Sequence, residues 1–276
     1  MQSRLEKTHT FYNLHHRDHA FIIPNPWDAG TARVLVNLGF QALATTSGGY
    51  AFSLGKRDGA VDRDVMIAHV SAIASSVDVP VSADLLNGFG DAPKTAAQTI
   101  ELAAEAGAAG GSIEDATGRD DEPIYERAFA AERVRAAADA ARRHRFVLTA
   151  RAENYLYRRT DLKDTIARLQ AYQEGGADVL YAPGLRTAEE IREVVRSVDR
   201  PVNVLAGLPG MNLDLATLSS LGVKRVSVGS ALARTALAAF INGANEMRSH
   251  GTFRFADSAV PSAELNAQFE SKLPQA

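Results

Sequence analysis

Residues 174–184 read EGGADVLYAPG. A helical tail runs into two glycines, then into a short apolar run that ends in proline and glycine. The same join recurs as NLGFQALATTS at 37–47, EAGAAGGSIED at 105–115 and SLGVKRVSVGS at 220–230. Gly39, Gly107, Gly176 and Gly222 stand where a helix C-terminus calls for a left-handed residue. The runs after them are short and often continuously apolar, as expected of parallel strands buried on both faces.

Eight such runs are present: Phe21–Ile23, Ala42–Thr45, Val79–Ala83, Gly111–Ile113, Phe146–Thr149, Val179–Tyr181, Val202–Leu205 and Arg225–Val228. Helical stretches separate them. Thr187-x-x-Glu190 is a capping box opening one helix. Asp164 is a candidate cap for another, whose apolar stripe is Ile166, Leu169 and Tyr172 and which Gly175 ends. Eight strands alternating with helices predict a (β/α)8 TIM barrel. The alternative, an open doubly wound sheet, usually has a G-x-G-x-x-G turn after its first strand, and PNPWDAG at 24–30 is not one. The expected organisation is one domain over 1–276, with the barrel at about 20–245 and a helical tail at 246–276 that packs on the barrel or on a neighbouring subunit.

The bulk composition narrows the function. With 276 residues, a net charge of −3 and a pI near 6.2, nothing points electrostatically to nucleic acid or an anionic membrane. Cysteine is absent, which excludes disulfide and thiolate chemistry and fits a reducing compartment. The first 21 residues are too polar for a signal peptide, and no apolar run approaches the ~18 residues of a spanning helix. A cytoplasmic enzyme is the expectation.

Barrel chemistry gathers at the C-terminal ends of the strands. Those ends carry Asn25 and Asp28, then Thr46-Ser47-Gly48-Gly49, Asp84, Glu114 with Asp115, Arg151 with Glu153, Pro183-Gly184, Asn203 with Gly207, and Ser227 with Gly229-Ser230. Neighbouring strands lie ~4.8 Å apart, so Asp84 and Glu114 can approach one small space. A hard cation would relieve their repulsion, and Mg2+ favours a few carboxylates with several waters. Arg151 would then grip a substrate anion with its two-pronged fork. A structural salt bridge among Asp84, Glu114 and Arg151 explains the same residues, and both readings stand at this point. Ser47-Gly48-Gly49 is either an anion cradle or a tight turn. No lysine ends a strand, which argues against a Schiff-base aldolase. His15, His16 and His19 read as solvated surface and His69 as a helix surface position. Tyr155 and Tyr157 read as packing, and Asp115 either turns inward or caps the next segment.

Five stretches in order, PNPWDAGTARVL (24–35), TTSGGYAFSLGKRD (45–58), VSADLLNGFGD (81–91), GGSIEDATG (110–118) and LTARAENY (148–155), resemble the isocitrate lyase/phosphoenolpyruvate mutase superfamily over about residues 20–245. The resemblance implies a Mg2+- or Mn2+-dependent barrel that makes or breaks a C–C or C–P bond of a small 2-oxo acid through an enolate. Phosphonopyruvate, oxaloacetate and substituted malates are the substrate types. It implies that Ser47, Gly48 and Gly49 hold the substrate's carboxylate and oxo oxygen, and that Asp58 is an acid near the metal. Asp84 and Glu114 are its metal carboxylates, Arg151 binds the substrate anion, and Asn203 is a looser substrate-side match. It also implies a homodimer or homotetramer, with the last helix exchanged between subunits in many members.

Two departures stand out. The family pattern D-x-D-x-G-[YF]-G has Leu86 at its second acid here, which removes one charge from the metal cluster. The lid of authentic isocitrate and methylisocitrate lyases carries a cysteine, whereas residues 116–129 read ATGRDDEPIYERAF. Those two activities are therefore not expected, and the mutase-like branch is the nearer match. The rival expectations are a degenerate barrel that binds an oxo acid without chemistry, and a phosphosugar-binding barrel enzyme that uses the loops at 207–210 and 229–230.

Overall fold

The computed structural model describes residues 2–270. The four glycines at the helix-to-strand joins have φ of 92° at Gly39, 97° at Gly107, 102° at Gly176 and 92° at Gly222, the left-handed region that side chains avoid. Each join releases the chain into a strand. The eight strands are β1 (Phe21–Ile23), β2 (Leu43–Ala44), β3 (Val81–Asp84), β4 (Gly110–Glu114), β5 (Val147–Arg151), β6 (Val179–Tyr181), β7 (Val202–Leu205) and β8 (Arg225–Ser227), and the four joins precede β2, β4, β6 and β8. All pairings are parallel, in the order β1-β8-β7-β6-β5-β4-β3-β2. Between β1 and β2 the Ala44 N–H donates to the Pro24 carbonyl at 3.0 Å. Asn25 reinforces that seam, donating to the Thr45 carbonyl at 3.0 Å and accepting the Val228 N–H at 2.9 Å. The fold is a (β/α)8 barrel.

The helices are α1 (Arg4–His15), α2 (Ala29–Asn37), α3 (Ser47–Ser53), α4 (Arg63–Ser76), α5 (Pro93–Glu105), α6 (Arg127–His144), α7 (Leu162–Glu174), α8 (Ala188–Arg196), α9 (Leu215–Ser220), α10 (Ala231–His250) and α11 (Ser262–Phe269). The Thr187/Glu190 box caps α8 as expected. Asp28 caps α2 rather than entering a site. Asp161, not Asp164, caps α7: its carboxylate takes the N–H groups of Lys163 and Asp164, while Asp164 pairs with Arg168 one turn on at 2.7 Å. Gly175 is right-handed, and Gly176 makes the turn.

Two apolar layers surround the strands. Outward residues such as Ala83, Ile113, Leu148, Ala150, Leu180 and Val204 pack under the helices. Inward residues at the strands' starting ends, Phe21, Val147 and Val179, together with Ile23 at the end of β1, cluster with Phe11 and Leu14 of α1. The first helix thus plugs one end of the barrel, and only the other end is open to chemistry. His15 belongs to this plug. It is 1% exposed, against the expectation of a solvated surface residue, while His16 and His19 are exposed as expected.

After β8, α10 is followed by a short 3-10 turn at Arg254–Ser258 and by α11. The tail folds back on its own barrel. Arg33 of α2 donates to the Phe269 carbonyl at 2.8 Å and Asn37 to the Gln268 carbonyl at 2.7 Å. The expected tail limit of 276 lies outside the described residues. No helix among the described residues is long and apolar enough to cross a membrane.

Candidate functional site

Period-two alternation decides what faces the barrel axis. On β3 it turns Ser82 and Asp84 inward, on β4 Ser112 and Glu114, and on β5 Thr149 and Arg151. On β6 to β8 it turns Tyr181, Asn203, Arg225 and Ser227 inward. Register places Glu114, Arg151, Tyr181, Asn203 and Arg225 as successive partners across five strands.

Arg151 is the hub of the open end. Its Nη1 donates to Asp84 Oδ1 at 3.0 Å and its Nε to Glu153 Oε1 at 2.7 Å, and its Nη2 lies 3.3 Å from Glu114 Oε2. Its guanidinium carbon stands 5.1 Å from the centre of the Tyr181 ring. The guanidinium is only 14% exposed, so these are short, poorly screened ion pairs. Burial opposes its charge, but Glu153, Glu114 and Asp84 outweigh that and hold it protonated. Burial pushes Glu114 well up and Glu153 up, with Arg151 acting against both.

Asp84 is held from two sides, because its other oxygen accepts the Ser47 N–H at 3.0 Å. Thr45 fixes the backbone there, its hydroxyl accepting the Asp84 N–H at 2.8 Å. Ser47 opens α3, and Thr46 caps that helix by accepting the Gly49 N–H at 3.2 Å. Both glycines lie in close quarters, Gly49 against packed side chains and Gly48 against the end of the Asp58 side chain. A Cβ on Gly48 would meet Asp58 Oδ2 at 2.9 Å, and one on Gly49 would meet Thr46 Cγ2 at 2.6 Å. Asp58 therefore lies over the start of α3, on the same cavity as Asp84. Burial and then the Asp84 charge raise its pKa.

The cavity encloses about 190 Å3 between the Ser47-Gly48 turn, Asp58, Asp84, Arg151, Asn203 and Arg225. It opens past Ser47, Asp58, Arg151 and Leu156 into an outer chamber of about 710 Å3, lined further by Leu86, Glu114, Glu153, Tyr157 and the loop at 116–120. That loop is tied down: Arg119 Nη1 donates to Asp91 Oδ2 at 2.8 Å and the Tyr125 hydroxyl to Asp91 Oδ1 at 2.5 Å.

The structure thus brings Ser47, Gly48, Asp58, Asp84, Glu114 and Arg151 to one connected cavity. Asn203 lines it, but both ends of its amide are already used: Oδ1 accepts Arg225 Nε at 2.9 Å and Nδ2 donates to Ser227 Oγ at 3.0 Å. Asp115 is not part of the cavity. It is buried behind it, accepting the Glu153 N–H at 2.8 Å, Arg168 Nη1 at 3.0 Å and the Tyr172 hydroxyl at 2.6 Å, and so fixes the loop that carries Glu153. Tyr155 bonds Glu190 at 3.3 Å, and Tyr157 reaches the outer chamber. His69 is buried rather than on the surface, stacked on Tyr50 with ring centres 3.6 Å apart. Tyr181, Arg225 and Ser227 complete the cavity wall, and strand alternation on β6 and β8 is the signal that finds them.

The donor set bears on metal binding. Among the described residues no three His, Asp or Glu side chains form a ready cage. Asp58 and Asp84 nevertheless line one polar cavity, and the Asp84 charge repels that of Asp58. That arrangement fits Mg2+, which takes one or two carboxylates and keeps its waters, and does not fit an all-protein cage.

A parallel (β/α)8 barrel with acids and an arginine gathered at the open end of its strands has the layout of the TIM-barrel class, whose sites lie at that end. Residues 11–248 match the phosphoenolpyruvate phosphomutase family, and the chain belongs to it. A provisionally designated lyase/mutase from Burkholderia cenocepacia J2315, solved by crystallography, is 60% identical with a TM-score of 0.94, covering 97% of both chains. The oxaloacetate acetylhydrolase structure in complex with the product oxalate is 26% identical with a TM-score of 0.85, covering 97% of this chain and 95% of that one. An Escherichia coli 2-methylisocitrate lyase is 31% identical over 63% of this chain and 61% of its own length.

Proposed function

We propose that this chain is a Mg2+- or Mn2+-dependent enzyme that breaks or forms a C–C or C–P bond beside the carbonyl of a small 2-oxo acid or dicarboxylate, through an enolate. The observation that carries the reading is the meeting of Asp84, Asp58 and the locked Arg151 on one cavity. Relatives support it: the similar chains include a 2,3-dimethylmalate lyase from Eubacterium barkeri and an oxaloacetate decarboxylase from Bradyrhizobium.

The charge balance argues for a cation. Asp84, Glu114 and Glu153 pair with the Arg151 guanidinium and Asp58 stands on the same cavity, which holds Arg225 as its other guanidinium. An anionic substrate is repelled by such a set unless protons or a metal ion offset it. Asp84 and Asp58 would hold the ion, with Glu114 behind them, and when bound it supplies a Lewis acid for the carbonyl oxygen. The protein's own groups do the rest. Arg151 cannot rotate away from its three partners, so it presents a fixed charge to the substrate anion. The Ser47 N–H is committed to Asp84 and the Gly49 N–H to Thr46, which leaves the Gly48 amide at the turn for the substrate. The loop at 116–126, tied to Asp91, shields the chamber from water. Without a cysteine in that loop, the isocitrate and methylisocitrate lyase reactions are not proposed.

The second reading is a binding barrel without turnover. Leu86 favours it, lining the outer chamber where the family pattern has an acid. As to assembly, we propose a homodimer or homotetramer: α10 buries only Ala233 and Gly243, and leaves Phe240 73% and Ile241 53% exposed.

The test is a panel of oxaloacetate, phosphonopyruvate and 2,3-substituted malates with Mg2+ or Mn2+, following pyruvate or oxalate release. Metal-dependent turnover of at least one supports the enzyme. Binding across the panel without turnover supports the second reading.

A further inference from the structure

The cavity does not end at Arg151. Below Arg151 its wall includes the small residues Ala44, Ser82, Ser112 and Ser227, where barrels usually place Val, Ile and Leu, beside Ile23, Tyr181, Asn203 and Leu205. A polar shaft therefore runs down the axis, and Arg225 stands at its floor.

Arg225 is 4% exposed and has no carboxylate partner among the described residues. Its hydrogen-bonding partners are neutral. Nε donates to Asn203 Oδ1 at 2.9 Å, and Nη1 lies 3.4 Å from His15 Nε2. His15 Nδ1 faces the Phe11 carbonyl at 2.8 Å, so that nitrogen carries the proton and Nε2 offers its lone pair to the arginine. Burial, then the Arg225 charge, push His15 well down and keep it neutral. Burial lowers Arg225 to about 10, which leaves it a cation at neutral pH. Nη2 makes no hydrogen bond within the described residues. The contrast with Arg151 is complete: one arginine sits among several acids, the other faces an open shaft with none.

We propose that Arg225, oriented by Asn203 and His15, is an anion subsite that receives a second carboxylate of the substrate at the shaft floor, so that the ligand is a dicarboxylate spanning from Arg225 to the Ser47 turn. A planar guanidinium with a free terminal nitrogen matches a carboxylate. This deepens the oxo-acid reading and rests on it. It predicts selectivity by chain length and by the charge at the far end. A free inorganic anion is the other source of the same chemistry.

The test is isothermal titration in chloride-free buffer containing magnesium acetate. Oxalate, malonate, succinate and glutarate are compared with butyrate and valerate on wild type, Arg225→Gln and Arg225→Lys. Wild type is expected to bind one of the longer dicarboxylates about tenfold or more tighter than its monocarboxylate counterpart. Arg225→Gln is expected to lose that preference while keeping oxalate affinity within about twofold, since in this reading oxalate is held at the Ser47 turn and the metal carboxylates and not by Arg225. Arg225→Lys keeps the charge with a shorter reach and is expected to weaken the dicarboxylate alone, which serves if the Gln variant fails to fold. A purely structural arginine would lower the melting temperature and leave the dicarboxylate-to-monocarboxylate ratio unchanged, and that result overturns the proposal. So does a wild type without dicarboxylate preference that added chloride or phosphate stabilises against heat. Failure of oxalate to bind wild type would instead remove the oxo-acid reading, and it is read separately from the ratio.

Discussion

Arg151 and Asp84 come from strands separated by one intervening strand and meet at 3.0 Å, while the second oxygen of Asp84 takes the Ser47 N–H at the same distance. One carboxylate thereby joins β3, β5 and the turn before α3. The arrangement needs all three partners, and its energetics follow from burial of the charges.

Substitution of Arg151 by Met is expected to do more than remove activity. It leaves Asp84, Glu114 and Glu153 facing one another in a buried space, at a cost of about 3–5 kcal/mol near neutral pH. Burial already raises Glu114 and Glu153 in the folded state. The unfolded chain therefore releases those protons first as pH rises, and the deficit should grow above the ordinary carboxylate range and shrink below it. Urea unfolding of wild type and variant at two pH values measures this. A deficit that is the same at both would mean that the acids do not repel. Asp84→Asn is expected to lose turnover with a much smaller loss of stability.

Gly49→Ala is expected to cost about 1–3 kcal/mol, because its Cβ has to displace Thr46, Ala233 and Trp27 around the start of α3. Gly48→Ala is expected to act on binding instead, since the nearest atom is the Asp58 carboxylate. Thermal melts and oxalate titration separate the two. Equal effects of both on stability would contradict the assignment.

Most of the fold could be read from the joins. β1, β6 and β7 fall on the expected residues, and the other strands differ from their expected spans by a residue or two. Hydrogen bonding, not hydrophobicity, sets those ends, so Asp84, Glu114 and Arg151 are still strand residues. The cluster residues were also legible, because a barrel strand delivers its last inward side chain to the open end. Three things were not. His15 looked polar and solvated because its partner, Arg225, lies 210 positions along the chain. His69 looked like helix surface because Tyr50, which covers it, belongs to another element. Asp115 could not be placed because its partners Arg168 and Tyr172 come from α7. Each is a contact with a residue of another element, polar for His15 and Asp115 and a ring stack for His69, and is invisible to local periodicity.

His69 makes stability depend on pH. Burial holds its pKa down at about 4, and its Nε2 has no hydrogen-bond partner among the described residues. Above about 6.5 the ring is neutral in both states. Between about 6.5 and 4 the unfolded ring takes up a proton that the folded ring refuses, so stability is lost as pH falls through that window, by at most about 3 kcal/mol. His69→Phe should keep the stack on Tyr50 and flatten this part of the profile. Melting curves from pH 7 to pH 4.5 test it, and a variant that tracks wild type throughout would assign the slope elsewhere.

Leu86 has φ of 51°, a conformation in which Leu is strained and Asp is better tolerated. It also stands on the outer chamber, next to Glu114, whose N–H bonds the Leu86 carbonyl at 3.0 Å. Leu86→Asp is expected to tighten Mg2+ by about tenfold, because affinity follows the number of charged ligands. Calorimetric Mg2+ titration reads this directly, and an unchanged affinity would place the ion away from position 86.

The central claim is that Asp84 and Asp58 hold a divalent cation which the substrate needs. Oxalate titration of wild type and Asp84→Asn, with and without Mg2+, tests it most directly. Oxalate binding that requires Mg2+ in wild type and vanishes in Asp84→Asn is the predicted result. Oxalate binding of equal strength in chelator and in Mg2+ would contradict it.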